Sequence, residues 1–411
     1  MRKIVYLCSL LVIFVIPWEE VITISGIGSV TRILGVLLTA IWMGSILHSG
    51  QIRKIRPLHL VILAFILWNF VSLLWTSDLE DSTSRLITFV QLGILIWIIW
   101  DIYTTPTLVR AGMQAYVLGA WVSVYSTLSN YLAGNLAHAG SKWTRYSGFG
   151  FNANGLAIVL AIGLPIAWYL VTSETRRTQL FSILRIVNAA YVPFAMFAIL
   201  LTASRGGLLA TLPFLFYFFS TLTRIKLTQR ILLSFGLMGV LYFVQPLIPQ
   251  ASLDRLSTTS SEITDGDLNG RRTIWEEGLE VFATSPIGGV GTGTFQNHVA
   301  NGKVAHNAYI SVLVELGIVG FSLFILIFLL SVYHTRYLPR SEAALWITVV
   351  LIWAVGVTAL SWEYKKYTWL IVSYILISAN ASREKTPVMD ASIGSSGILK
   401  KRQPVDDAIL L

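Results

Sequence analysis

Apolar runs of roughly 13 to 25 residues, most of them close to what a helix needs to cross a bilayer, follow one another along this chain with short polar breaks between them. The first, Ile4 to Ile16, stands behind a basic start and ends in Pro17-Trp18-Glu19-Glu20. It has no small-x-small cleavage site, so it predicts a spanning helix and not a removable signal peptide. Further spans are predicted at 33–48, 58–75, 86–103, 108–131, 154–172, 186–203, 206–222, 231–247, 308–332, 343–361 and 368–380. The pattern is that of an all-α, polytopic membrane helix bundle with about twelve transmembrane helices, some with short or interfacial ends. One long polar interruption breaks the series at 245–306, between late spans.

That interruption has internal structure. A stretch rich in Ser, Thr, Asp and Gly comes first, then "GRRTIWEEGLEVFATSPIGGVGTGTF", then "AHNAYISVLVELGIVG", which leads into the next apolar run. Ile274, Trp275, Leu279 and Phe282 recur at helical spacing, which predicts a short amphipathic helix on the membrane surface. Ser285 to Phe295 is glycine-rich but lacks the strand, lysine and helix that a phosphate loop needs. It predicts a tight re-entrant turn returning the chain to the membrane. Residues 1–380 then form one integral membrane domain carrying this loop, and 381–411 read as a disordered cytoplasmic tail.

Composition removes the soluble alternative for 411 residues, since 55% are hydrophobic and only 12% charged, with a mean hydropathy of +0.69. A single cysteine, Cys8, allows no intrachain disulfide, and no Cys/His cluster has metal-ligand spacing. No cofactor is expected. The net charge of +9 is spread over short loops, so it marks topology and not nucleic-acid binding. Most of the 30 lysines and arginines fall on one side of the predicted bundle if the N-terminus is cytoplasmic. The positive-inside rule then places both termini in the cytoplasm and 245–306 outside.

The basic residues left on the outer side are the ones with chemical interest. Arg205, in "LLTASRGGLLA", has almost no loop to hold it in water. It either snorkels to the headgroups as a topology mark or faces an anion site beside Gly206-Gly207 and a helix N-terminus. Arg271 and Arg272 begin the amphipathic helix, where a cation opposes the macrodipole and gains nothing for helix stability. One functional arginine is expected there, the other being solvated or paired with Glu276. His306 sits where the loop re-enters the membrane and is suited to proton transfer near neutral pH. Asn307 follows it, and Glu315 is expected to be buried against an arginine or to fix its helix. Arg145, Asn152 and Asn154, in "SKWTRYSGFGFNANGLA", lie where they can reach the same vestibule. Cations without a metal-ligand set suit a phosphate- or pyrophosphate-bearing substrate entering from lipid. An anion transporter and a non-catalytic assembly protein remain alternatives on these residues alone.

Taken in order, "PWEEVITISGIGSVTRILG", "RYSGFGFNANGLA", "TASRGG", "GRRTIWEEGLEVFATSPIGGVGTGTF" and "AHNAYISVLVELGIVG" resemble the O-antigen ligase and polymerase superfamily of bacterial envelope glycan transferases. The resemblance covers most of the chain outside its tail. It implies about a dozen helices in the inner membrane and a catalytic loop in the periplasm. It also implies metal-independent, inverting transfer of a glycan from an undecaprenyl (polyprenyl) pyrophosphate carrier to an acceptor hydroxyl. By motif the implied catalytic residues are Arg205, Arg271 and His306. The two arginines would hold the pyrophosphate, and the histidine would activate or orient the acceptor. Arg145, Asn154, Arg272, Asn307 and Glu315 are candidate substrate-binding residues, with Arg272 the weaker match to the motif arginine. Loop size and chain length lean towards ligase-like transfer to a lipid A core or another terminal acceptor over repeat-unit polymerisation. The motifs themselves are shared by both.

Overall fold

The computed structural model describes residues 1–24, 28–137, 144–148, 150–173, 179–224, 245–264, 266–268, 270–300 and 302–385, with isolated positions between 227 and 242. Its helices are α1 (Arg2–Val15), α2 (Val30–Ser49), α3 (Pro57–Val71), α4 (Leu79–Ile102), α5 (Pro106–Leu132), α6 (Ala153–Thr172), α7 (Gln179–Leu201) and α8 (Arg205–Thr221). Three shorter ones follow in the long loop, α9 (Gln250–Ser257), α10 (Thr259–Thr264) and α11 (Arg271–Thr284), and then α12 (Ala308–His334), α13 (Arg340–Gly356) and α14 (Lys366–Lys385). A two-stranded hairpin, β1 (Thr23–Ile24) and β2 (Gly28–Ser29), joins α1 to α2.

The all-α membrane bundle expected from the apolar pattern is therefore present. Among the described residues eight helices are long and apolar enough to cross a membrane: α1 with its following turn, α2, α3, α4, α6, α7, α12 and α13. Helices α5, α8 and α14 occupy three more of the predicted segments. The predicted span 231–247 and the tail beyond 385 lie largely outside the described residues. Boundaries follow local chemistry. Pro57 and Pro106 open α3 and α5 at positions where no amide hydrogen is needed. Asp78 caps α4 by accepting from the Asp81 amide at 3.0 Å.

Helix α6 is the hub. In its most apolar window 94% of the residues are buried inside the protein, and it packs against α5, α7, α8 and α13. A helix apolar all round is stable only when surrounded by others, and "GLAIVLAIGLPIAW" has no polar face to give to water. Small residues let neighbours approach it closely. A Cβ on Gly207 would lie 2.3 Å from the Cβ of Ala157 on α6, so α8 sits tightly against α6 at its N-terminal end.

Helix α12 is broken on purpose. Gly317 has φ +64 and ψ −169, a conformation open essentially only to glycine. The break frees backbone groups that would otherwise bond within the helix, and the glycine-rich turn takes them up. Val290 N donates to Val314 O at 3.1 Å, Gly291 N to Glu315 O at 2.9 Å, and Ile318 N to Pro286 O at 2.9 Å. Irregular backbone at this depth is tolerated because protein satisfies it.

The amphipathic segment also packs against protein. Helix α11 forms as predicted, but Ile274 and Gly278 turn inward, with Phe295 and Ile310 against the Gly278 position. Ile274, Phe295, Val299, Ala305 and Val314 make a second apolar core, with Phe282 packed at its edge. Only Leu279 keeps a large exposed apolar surface on this face. Protein contacts cover Ile274 fully and Phe282 in part, and Leu279 stays exposed.

Candidate functional site

Four helix N-termini point into one cavity of about 480 Å³ at the loop-bearing end of the bundle. Asn152 and Asn154 belong to the start of α6, Arg205 to Gly207 to the start of α8, and Arg271 to the start of α11, while His306 immediately precedes the cap of α12. The positive end of the macrodipole makes each N-terminus favourable for negative charge. Side chains add to the same sign. Arg145, Arg205, Arg255, Arg271 and Lys303 line the cavity, and Glu262 is the one carboxylate among the lining residues.

Each side chain is placed by a local device. Ser204 caps α8 by accepting from the Gly207 amide at 3.1 Å, and its hydroxyl donates to Asn154 Oδ1 at 3.0 Å. Arg145 donates to the same Oδ1 at 2.7 Å and to Thr202 O at 2.9 Å, so three loop segments meet at one amide. Arg205 reaches over to the loop helices, donating to Arg255 O at 3.0 Å and Thr258 Oγ1 at 2.7 Å, with Glu262 3.5 Å away. Trp275 lies one turn after Arg271 on the same face of α11, and its indole donates to Ala305 O at 2.8 Å, holding the backbone next to His306.

Backbone strain marks the same places. Among the described residues the non-glycine positions with positive φ are Ala203 (+47), Leu268 (+49) and His306 (+48). Ala203 lies two residues before Arg205, Leu268 three before Arg271, and His306 is itself in the site. Such conformations cost on the order of 1–3 kcal/mol each and collect where geometry serves function.

The electrostatics are those of cations held together. Burial, followed by Arg255 and Arg271, pushes Arg145 down to about 10. Burial and then Arg205 lower Arg255 against the opposing pull of Glu262. Burial and Arg255 lower Arg271. The guanidiniums stay protonated near neutral pH, and Glu262 offsets only part of their mutual repulsion, so an anion entering among them is favoured. For His306, burial first, then Arg271 and Lys303, lower the imidazole below its usual range. It is therefore neutral near pH 7, with a lone pair available to accept a proton.

Of the residues singled out from sequence, Arg145, Asn154, Arg205, Arg271 and His306 come together here. Arg272, Asn307 and Glu315 do not line the cavity. Arg272 is exposed on the far side of α11. Asn307 caps α12, its Oδ1 accepting from the Tyr309 and Ile310 amides at 3.0 and 3.3 Å. Glu315 is buried and accepts from the Gly293 and Phe295 amides at 2.7 and 3.3 Å, fixing the glycine-rich turn. Arg255, Lys303 and Trp275 were not singled out, and the structure adds them. The two cations carry a readable signal, since both belong to the basic residues left outside by the topology count.

An apolar groove of about 870 Å³ between α8 and α13 meets this cavity at Leu209, which lines both. Leu212, Phe216, Ile347 and Leu351 form its exposed walls.

Residues 189–325, about a third of the chain, match the family model described as O-antigen ligase. The match runs from α7 to the middle of α12 and includes Arg205, Arg255, Arg271, Lys303 and His306. No curated protein matches the chain. The domain match falls on the segment that supplies most of the cationic cavity, and over that segment the chain is similar to O-antigen ligases.

Proposed function

We propose that this multi-pass inner-membrane enzyme transfers a glycan from a polyprenyl pyrophosphate carrier to an acceptor hydroxyl, in the manner of an O-antigen ligase. The observation that carries the reading is the convergence of Arg205, Arg271 and His306 on one cavity with five cations and one carboxylate. A pyrophosphate is the leaving group that such a site stabilises best, because its charge grows as the bond to the sugar breaks. The α8–α13 groove supports the same reading, since it offers an apolar track for a carrier chain up to the charged cavity.

In this mechanism the acceptor oxygen attacks the anomeric carbon on the face opposite the pyrophosphate, so that carbon inverts. The new C–O bond forms as the bond to the pyrophosphate breaks, and the electron pair leaves with the phosphate. Arg271 and Arg205 hold that oxygen. His306 takes the acceptor proton, which its neutral state permits. Helices α9 and α10 pack against Arg205 through Arg255 O and Thr258 Oγ1, and on this reading the cavity lies at the outer leaflet with both termini in the cytoplasm.

The direct test is a purified-protein assay with a polyprenyl-pyrophosphate glycan and lipid-anchored acceptors, run with and without EDTA. Transfer is expected to survive the chelator and to be lost in Arg205→Ala, with membrane insertion unchanged. Normal transfer by Arg205→Ala would overturn the reading. Product length separates the two family activities: a single addition per acceptor indicates a ligase, whereas a ladder of repeat units indicates a polymerase.

A pH profile tests His306 separately. With its proton affinity lowered by burial and two cations, the acid limb of kcat/KM is expected below the ordinary imidazole value of about 6.5. Lys303→Ala removes one of those cations, so the imidazole binds its proton more readily and the limb moves to higher pH. A limb that stays in place, or moves lower, removes His306 as the base.

A further inference from the structure

A second cavity system runs across the opposite side of the bundle and ends at the same site. Between α2 and α4 lies a largely apolar groove of about 490 Å³ whose walls include Leu38, Leu92, Leu95 and Ile98. It opens sideways beside Val36 and Met43, both more than half exposed. At its upper end, Ser29, Thr88, Tyr364 and Lys366 also line a polar cavity of about 450 Å³ that holds Glu19, Glu20 and Lys365. Glu20 and Gly150 continue from there into a third hollow, and Asn152 belongs both to that hollow and to the cationic site. The shared lining residues set these hollows side by side between the α2–α4 groove and the cavity that holds His306.

We propose that these hollows bind the lipid-anchored acceptor, with its acyl chains in the α2–α4 groove and its sugars laid along Glu20, Gly150 and Asn152. The purpose rests on the glycan-transfer reading above, while the site itself is read from its own geometry. Charge decides which lipid belongs on which side. The cationic cavity sets five cations against one carboxylate. In the polar cavity Lys366 is paired with Glu19 at 2.5 Å and Lys365 with Glu20 at 3.6 Å. A nearly balanced rim offers little to a pyrophosphate. It does offer carboxylate acceptors and ammonium donors to a headgroup built of hydroxyls. Ser29 adds a hydroxyl to this rim, and it and Thr31 both donate to Glu19. The apolar groove beside it suits the acyl chains, and the two adjoining polar hollows suit a headgroup of several hydroxyl-bearing sugars.

Gly35 gives a clean way to block the groove, since a Cβ there meets nothing within 4 Å. The experiment places the full chain in nanodiscs with a diacylated oligosaccharide lipid carrying a diazirine in its acyl chains, and maps labelled peptides by mass spectrometry. Labelling is expected on α2 and α4. It should fall at least about tenfold in Gly35→Trp and in Thr39→Phe, as expected when binding alone is obstructed. Phosphatidylcholine with the same photoactive chains should label these helices far less. Labelling elsewhere, equal labelling by phosphatidylcholine, or undiminished labelling in both variants overturns the site. In parallel, Gly35→Trp should raise KM for the lipid-anchored acceptor at least about tenfold with kcat kept, and leave KM for the same oligosaccharide without its lipid unchanged. A wild-type protein that labels α2 and α4 but transfers nothing keeps this site and loses the transferase reading. One that transfers but labels other helices does the reverse.

Discussion

Arg271→Ala is expected to lower kcat/KM for glycan transfer by roughly 10²–10³-fold, the usual loss when one preorganised group facing a developing anion is removed. The same substitution should leave the melting temperature unchanged or raise it. Arg271 occupies the first position of α11, where a cation opposes the helix dipole by about 0.3–1 kcal/mol. It is also held beside Arg255, with burial lowering its hold on its proton. Its removal therefore relieves strain in the empty protein while taking charge from the site. Activity and stability moving in opposite directions is the signature of a residue kept for chemistry. Arg271→Lys is expected to recover little, because a point charge does not reproduce a planar fork of donors. Arg272→Ala supplies the control, as its side chain is exposed, and should transfer at near the wild-type rate. These outcomes are read from steady-state kinetics and thermal unfolding of detergent-purified protein. Loss of activity that tracks loss of stability would make Arg271 a structural residue.

How far sequence reaches into this site depends on the kind of residue. The bundle is legible because a 3.6-residue helix crossing lipid needs a long apolar run and leaves that run in the sequence. The cations are partly legible for an electrostatic reason. A basic residue on the outer side, such as Arg205 or Arg145, violates the charge bias that sets topology, and so signals another use. The same logic reaches Arg255 and Lys303, but neither stands in a motif that would single it out. Trp275 shows the opposite limit. Helical spacing reads it as part of an apolar stripe, and only the fold shows its indole bonded to Ala305 O, next to His306. Glu315 is legible only in part. It is buried near an arginine, Arg85, as a carboxylate in an apolar helix suggests, but its oxygens also accept from Gly293 and Phe295 in a turn some twenty residues earlier. No local pattern announces such a contact. The break at Gly317 was equally silent, since a lone glycine in a spanning helix is common.

That glycine carries the second large prediction. Gly317→Ala is expected to abolish transfer and to lower the melting temperature, although residue 317 does not line the cationic cavity. A Cβ at this position would lie 2.1 Å from Ile287 O and 2.4 Å from its carbonyl carbon. Backbone, not a flexible side chain, is in the way, so the turn must move. The conformational cost adds about 1–3 kcal/mol. Moving the turn breaks the bonds from Val290, Gly291 and Ile318 across the break, and with them the register that lets Glu315 hold Gly293 and Phe295. Phe295 belongs to the small core that also contains Ile274 and Ala305, the neighbours of Trp275 and His306. Displacement at Gly317 is thus passed through packed contacts to both sides of the site. Gly50→Ala separates this effect from a general intolerance of positive φ. Gly50 has φ +63 but meets nothing within 4 Å, so its replacement should cost about 1–2 kcal/mol and leave transfer intact. Hydrogen exchange gives the local readout: faster exchange at Val290 and Gly291 in Gly317→Ala, and no change there in Gly50→Ala. Wild-type protection at those two amides, with transfer retained, would show that the turn does not hold the site in place.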